Sequence, residues 1–150
     1  MKIEVQGLDQ LIKGFEKVGS AQKVNAIVNK TLEQAALKIQ AQAKEDCPAD
    51  TGKLRGSISV EKIPKGYAVG TNVEYGVYVE FGTGTLGDPS VPHTTRKYWR
   101  YKDEKGNWHT THGMRPRPFL LPAFNQYKDK IPAAIKINLS KALKEAIRHG

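Results

Sequence analysis

Apolar residues recur every three or four positions in three segments of the chain, which predicts three amphipathic helices. The first spans residues 8–18 and ends before Gly19. The second is the longest, since it follows Ser20, a suitable N-cap, and ends before Pro48. The third covers residues 131–146, with Pro132 in its first turn, where a missing N–H is harmless. The polar outer face of the long helix indicates that this helix lies on a sheet.

Polar and apolar residues alternate in three shorter segments, which predicts three antiparallel strands over residues 57–63, 67–69 and 77–81. A tight turn at Lys65-Gly66 would join the first two. The expected fold is therefore α+β and fills a single domain, residues 1–150. It has an antiparallel sheet of three to five strands packed against the long helix and the C-terminal helix.

Residues 84–116 contain seven glycines and prolines and no helical pattern, which predicts a long excursion that projects from the body. Within it, aromatic residues at 98–101 and 108–110 flank a charged segment. This arrangement is typical of a small hairpin with a charged tip.

The charge is strongly positive and uneven. The 150 residues carry 24 Lys and Arg against 15 Asp and Glu, a net charge of +9. Seven basic and two acidic residues lie between His93 and Arg117, so this stretch holds more than half of the excess. Such a balance favours acidic partners: nucleic acid, anionic lipid or an acidic protein surface.

Processing and membrane signals are weak. The sequence has no run of about 18 apolar residues and no apolar signal-peptide core, so we expect a protein kept in the cytoplasm, without a membrane partner. Its single cysteine, Cys47, forms no internal disulfide, and stability must come from packing or from assembly.

Candidate catalytic chemistry is sparse. His109 and His112 have HxxH spacing, and His93 and Cys47 could complete a zinc site, but this spacing recurs by chance in polar loops. Glu74 and Glu80 lie near the third predicted strand, where a surface or interface role is favoured over acid–base catalysis. A glycine-rich run over residues 82–87 lacks the lysine of a phosphate-binding loop. We expect no metal and no cofactor.

The stretch from residue 96 to residue 101 combines basic and aromatic side chains. Such residues can stack bases and neutralise phosphates, but Tyr, Trp and Arg are also enriched at protein interfaces. The composition favours protein contact and leaves nucleic acid as an alternative. The five residues that carry it are Arg96, Lys97, Trp99, Arg100 and Tyr101.

Three blocks of the chain resemble the tailed-phage tail-component or neck family typified by gene product ten of the lambdoid phage HK-97. They are residues 47–58, the pair 69–71 and 75–83, and residues 117–123. Leu121 departs from the family pattern, in which arginine is common, and the 84–116 excursion is longer than in many members. The positions that carry the shared motif are Thr51, Gly52, Leu54, Tyr75, Tyr78, Phe81, Gly82, Thr83, Pro118, Phe119 and Pro122.

The resemblance implies a non-enzymatic virion assembly protein at the head–tail junction. It implies a hexameric or dodecameric ring of identical subunits around the DNA channel, in contact with other neck and tail proteins and with packaged DNA. A tail terminator that caps the tail tube is the nearest alternative. A nucleic-acid-binding protein and a metal-dependent hydrolase that uses His93, His109 and His112 are alternatives from other classes.

Interface residues can be assigned within this interpretation. Rings form through heterologous contacts, which suit a projecting loop rich in Tyr, Trp and Arg. Arg55 could pair with a carboxylate such as Glu80, and Glu80 is the strongest single candidate. The full interface set is Arg55, Glu80, Arg96, Trp99, Arg100, Tyr101 and Arg117.

Overall fold

The computed structural model describes residues 1–6, 20–49 and 52–149. The helix predicted over residues 8–18 lies outside the described residues, as does Thr51 of the shared motif. The described strands are β1 (Lys2–Gln6), β2 (Ser59–Ile63), β3 (Gly66–Gly70), β4 (Trp99–Lys102) and β5 (Trp108–Thr111). The described helices are α1 (Ala21–Asp46), α2 (Gly52–Ser57), α3 (Gly76–Phe81), α4 (Leu120–Tyr127) and α5 (Lys130–His149), with a 3-10 turn at Gly84–Leu86.

The main sheet has three antiparallel strands in the order β1-β3-β2. Val69 of the central strand lies between Ile3 and Val60, and all five residues of β3 are buried, as expected for a strand paired on both sides. The strands predicted over residues 57–63 and 67–69 are confirmed by β2 and β3. The third strand is β1, at the start of the chain.

The strand predicted over residues 77–81 is wrong, because this segment is helix α3. Its buried positions are Gly76, Val79 and Glu80, and that three-and-four spacing is helical. A segment of only six residues fits both periods, so sequence alone does not distinguish a strand from one helical turn and a half. Gly82, at φ 73°, ends α3 with its N–H on the carbonyl of Tyr78.

Helix α1 forms the centre of the fold. Its N-cap is confirmed, because the side chain of Ser20 accepts the N–H of Lys23 at 3.3 Å, and the helix ends before Pro48. One face of α1 packs against the sheet, α4 and α5. That face buries Val24, Val28, Leu32, Ala36, Ile39 and Ala43.

The chain ends in two helices. Residues 120–127 form the separate helix α4, and the predicted C-terminal helix is confirmed as α5. Helix α5 packs against α1 through Ile135 and Leu139, and the side chain of Asn138 donates to Thr31 at 2.9 Å. The predicted α+β class is confirmed. Among the described residues, no helix combines the length and the hydropathy needed to span a membrane.

Candidate functional site

The carboxylate of Glu80 fastens α3 to the start of α4. Glu80 is 2% exposed; its Oε2 accepts the N–H groups of Phe119 and Leu120 at 2.8 and 2.9 Å, and its Oε1 accepts that of Leu121 at 2.8 Å. The first N–H groups of a helix have no intrahelical acceptor, and the helix dipole favours an anion there. We call this arrangement the Glu80 clasp.

The clasp corrects two predictions about the subunit surface. Glu80 lies inside the subunit, so the intersubunit contact expected of it does not fit its burial. Arg55 does not pair with Glu80, because its Nη2 donates to the carbonyl of Cys47 at 2.7 Å, where α1 ends. Arg55 thus connects α2 to the end of α1.

Backbone hydrogen bonds close the base of the excursion beside the clasp. Thr83 donates to the carbonyl of Met114 at 2.8 Å and accepts the N–H of Met114 at 3.2 Å, while Arg117 donates to Val79 at 2.8 Å. A Cβ on Gly82 would lie 2.5 Å from the carbonyl oxygen of Met114, so glycine permits this close approach. Both ends of the excursion are therefore attached to α3.

The predicted aromatic hairpin is confirmed as β4 and β5. Trp99 pairs with Thr111, and Tyr101 pairs with His109. Successive side chains of a strand point to opposite sides, so Trp99 and Tyr101 share one face, while Arg100 lies on the other. The basic and aromatic residues of the 96–101 stretch are thus divided between two surfaces.

We call the hairpin face that carries Trp99 and Tyr101 the inner face. This face and helix α3 form the walls of a groove of about 770 Å³, which we call the aromatic groove. Two of its tyrosines are substantially exposed, Tyr78 at 51% and Tyr101 at 47%. Apolar and aromatic lining with a few polar groups is typical of a binding site. The lining residues are Tyr75, Tyr78, Val79, Thr83, His93, Thr94, Trp99, Tyr101, Thr111, Met114 and Arg117.

The outer face of the hairpin is basic. Trp108 is 60% exposed, with the guanidinium carbon of Arg100 at 5.3 Å and the Nζ of Lys102 at 5.8 Å from its ring centroid. Both distances are in the range of cation–π contacts. The interface set predicted from the sequence does not include Trp108. The signal that could have found it is its position directly opposite Lys102 across the predicted hairpin turn.

The hairpin tip is organised by Asp103. Its carboxylate lies 2.7 Å from Nε2 of His109 and accepts the backbone N–H groups of Lys105 and Asn107 at 2.9 and 2.8 Å. The hydrogen bond to His109, followed by that from the Asn107 backbone, lowers the pKa of Asp103 below its usual value. The tip also approaches α2, with Glu104 3.8 Å from Lys53.

The four residues considered for zinc have separate surroundings. His109 contacts Asp103, His93 lies 2.6 Å from the carbonyl of Val91, and His112 lies 6.2 Å from the ring of Tyr98, measured between centroids. Cys47 is buried at the end of α1. Within residues 1–6, 20–49 and 52–149, no three His, Cys, Asp or Glu side chains are grouped so as to hold a metal ion.

The predicted interface residues therefore do not form one continuous surface. Trp99, Tyr101 and Arg117 line the aromatic groove, and Arg100 lies on the outer face. Arg96 is exposed just before the hairpin, whereas Arg55 and Glu80 have internal partners.

The shared-motif residues are divided between core, turn and surface. Leu54 and Phe119 are fully buried, and Gly82 and Thr83 form the turn that begins the excursion. Tyr75 and Tyr78 line the groove. The other described positions of the motif are Gly52, Phe81, Pro118 and Pro122, of which Phe81 is half-buried and the other three are exposed.

Comparison with known proteins identifies the family. The model of the HK97-gp10-like family, described as "Bacteriophage HK97-gp10, putative tail-component", matches residues 9–82. This range contains α1, the strands β2 and β3 and helix α3 with Glu80, and it stops before the hairpin. The chain matches no curated protein and no solved structure. The resemblance predicted from the sequence is thereby confirmed: residues 9–82 are similar to the HK97-gp10-like tail-component family of bacteriophages.

Proposed function

We propose that this protein is a non-enzymatic structural subunit of a tailed phage or prophage. It acts in head–tail joining or tail completion, as one subunit of a ring at the neck of the virion. The similarity of residues 9–82 to a tail-component family supports a place in the virion and contact with other tail proteins.

The observation that carries the proposal is the firm attachment of an aromatic, basic hairpin to the body. The Glu80 clasp and the Thr83–Met114 bridge hold both ends of the excursion, so its exposed side chains are presented in a defined position. Contacts between proteins draw most of their energy from a few Tyr, Trp and Arg side chains. A preorganised set also loses less entropy when a partner binds.

Ring formation would use two different surfaces of each subunit. A contact between the hairpin of one copy and the helices of the next is heterologous, the kind of contact that closes into a ring when its rotation permits. The proposal gives the ring six or twelve copies, with neck and tail proteins and packaged DNA as neighbours. Its residues at these contacts are Arg96, Trp99, Arg100, Tyr101 and Arg117.

Negative-stain electron microscopy of lysates tests the proposal, with a phage whose copy of this gene is disrupted. We expect heads and tails that accumulate separately, and joined particles when the wild-type gene is supplied from a plasmid. Tails of irregular length would assign the protein to tail termination instead. Normal joined particles without the gene would overturn the structural role.

A second candidate function, binding of single-stranded nucleic acid, is favoured by the outer face of the hairpin. Trp108 could stack on a base while Arg100 and Lys102 neutralise phosphates. Fluorescence anisotropy with a labelled DNA oligonucleotide tests it. If the function is real, affinity falls steeply with salt and is lost in Trp108→Ala but kept in Tyr78→Ala, an aromatic control on the groove side. Equal binding by both variants would exclude the outer face.

A further inference from the structure

The aromatic groove has the chemistry of a docking site for a protein segment. Its walls come from parts of the chain far apart in sequence, helix α3 and the hairpin, and the Glu80 clasp and the Thr83–Met114 bridge hold them together. We propose that the groove binds an acidic segment of a different virion protein, anchored by an apolar side chain of that segment. The inference rests on the proposed structural role and specifies which neighbour this surface receives.

Exposed aromatic rings in the groove favour an occupant with an apolar side chain. Tyr78 and Tyr101 face the groove with about half of their surface exposed, and Trp99 and Met114 line it. Tyr78, Tyr101 and Trp99 all lie outside the hydrophobic core of the described residues, so core packing does not explain why they cluster. An apolar side chain inserted between these rings would bury area on both walls.

The acidic part comes from charge. Among the described residues that line the groove, Arg117 carries a permanent positive charge and none is a carboxylate. Three acidic groups of the neighbouring segments are engaged elsewhere: Glu80 is buried in the clasp, Asp103 binds His109 and the hairpin turn, and Asp88 accepts hydrogen bonds from Ser90. The stretch from His93 to Arg117 has an excess of basic residues spread over both hairpin faces, so its long-range field attracts an occupant with carboxylates and repels a basic one.

Charge also disfavours a second copy of this chain as the occupant of the aromatic groove. The whole chain has a net charge of +9. Its most exposed aliphatic side chains on the long helices, Leu37 and Ile137, each have a lysine next in sequence, Lys38 and Lys136. A copy that inserted either residue would bring like charge to the groove. The inner hairpin face is therefore assigned to another protein, which leaves the outer face and the helices for the ring.

Site-specific photocross-linking in assembling phage tests the inference. The photoreactive amino acid benzoylphenylalanine replaces Tyr78 in the gene supplied to a phage that lacks its own copy, and Leu37, similarly exposed on α1, is the control position. We expect a cross-link from position 78 to a different virion protein, within a segment that has several Asp or Glu residues around an apolar one. A cross-link to another copy of this chain, to DNA or to a basic segment would overturn the inference, as would no cross-link in assembled particles.

A synthetic peptide copy of the cross-linked segment then allows binding to the purified full chain to be measured by anisotropy. We expect Tyr78→Ser to weaken binding at least tenfold and Leu37→Ser to leave it unchanged, with both variants melting like the wild type. Raising the salt concentration should weaken binding, and lysines in place of the acidic residues should abolish it. Binding unchanged in Tyr78→Ser would exclude the groove.

The two proposals fail in different ways. If phage lacking the gene assembles normally, the structural role fails whatever the groove binds. If assembly requires the gene but position 78 contacts no acidic segment, the structural role stands and only the assignment of the groove is lost.

Discussion

Glu80 accepts the backbone N–H of Phe119 at 2.8 Å, although the two residues are 39 positions apart in the chain. The contact joins the part that matches the family model, which ends at residue 82, to the part beyond it. Closing a loop of this length costs conformational entropy, which the hydrogen bonds to a buried carboxylate must offset. The clasp thus makes the position of the hairpin depend on a residue whose carboxylate binds the start of α4.

Replacing Glu80 tests the clasp. Glu80→Gln removes the charge and places an amide NH₂ against backbone donors, so we expect a loss of about 1–3 kcal/mol in the free energy of unfolding. Urea denaturation followed by circular dichroism measures this loss. The control is Glu74→Gln, an exposed glutamate just before α3, for which we expect a change within about 0.5 kcal/mol. Equal stability of the two variants would show that the clasp contributes nothing.

The turn at the start of the excursion provides a pair of glycine substitutions with opposite expected signs. Gly82→Ala introduces a Cβ at φ 73° and 2.5 Å from the carbonyl oxygen of Met114, so we expect a loss of more than about 1 kcal/mol. Gly56→Ala, inside α2 with no atom within 4 Å of the new Cβ, should gain about 0.5–1 kcal/mol. Thermal unfolding of both variants checks the prediction, and a gain in Gly82→Ala would contradict it.

Much of the fold could be predicted because its signals are local. The long helix, with its Ser20 cap and its end before Pro48, follows from three-and-four spacing over 26 residues. The aromatic hairpin likewise follows from alternation on both sides of a charged turn. The helix pattern is long enough to exclude a strand, and the hairpin segments are too short and too clearly separated by the turn to be a helix.

The errors arose where the structure depends on distant residues. Residues 77–81 alternate like a strand, but their partner is the turn at Phe119, and no local pattern shows that a glutamate will be buried there. The sequence therefore predicts a surface position for Glu80, where an unpaired carboxylate normally lies. The groove could be predicted only in part, because long-range backbone contacts, Thr83 with Met114 and Arg117 with Val79, bring its lining residues together.

The hairpin tip should loosen in acid. Because its hydrogen bond to His109 lowers the pKa of Asp103, the folded tip favours the ionised carboxylate. The stabilisation is therefore present above the ordinary pKa of an aspartate and is lost as the pH falls through the lowered value. We expect the NMR signals of Trp108 to change below about pH 4, near and below the ordinary aspartate pKa.

Two substitutions identify the group responsible for that transition. Asp103→Asn should remove the acid transition of Trp108, because the tip then lacks the carboxylate. Asp88→Asn is the control, since the pKa of Asp88 is also lowered, by hydrogen bonds from Ser90, but Asp88 lies outside the hairpin. If the Trp108 transition persists in Asp103→Asn, or disappears in Asp88→Asn, Asp103 is not its origin.

Substitutions on the inner face of the hairpin should impair assembly without impairing folding. Trp99 and Tyr101 line the groove and lie outside the hydrophobic core, so replacing both with alanine removes contact area without opening a core cavity. We expect a subunit that still unfolds cooperatively, with a midpoint near that of the wild type, but that fails to restore joined particles in the complementation assay. Loss of cooperative unfolding in the double variant would instead make the hairpin part of the folding core, and normal particle assembly would remove the groove from virion assembly.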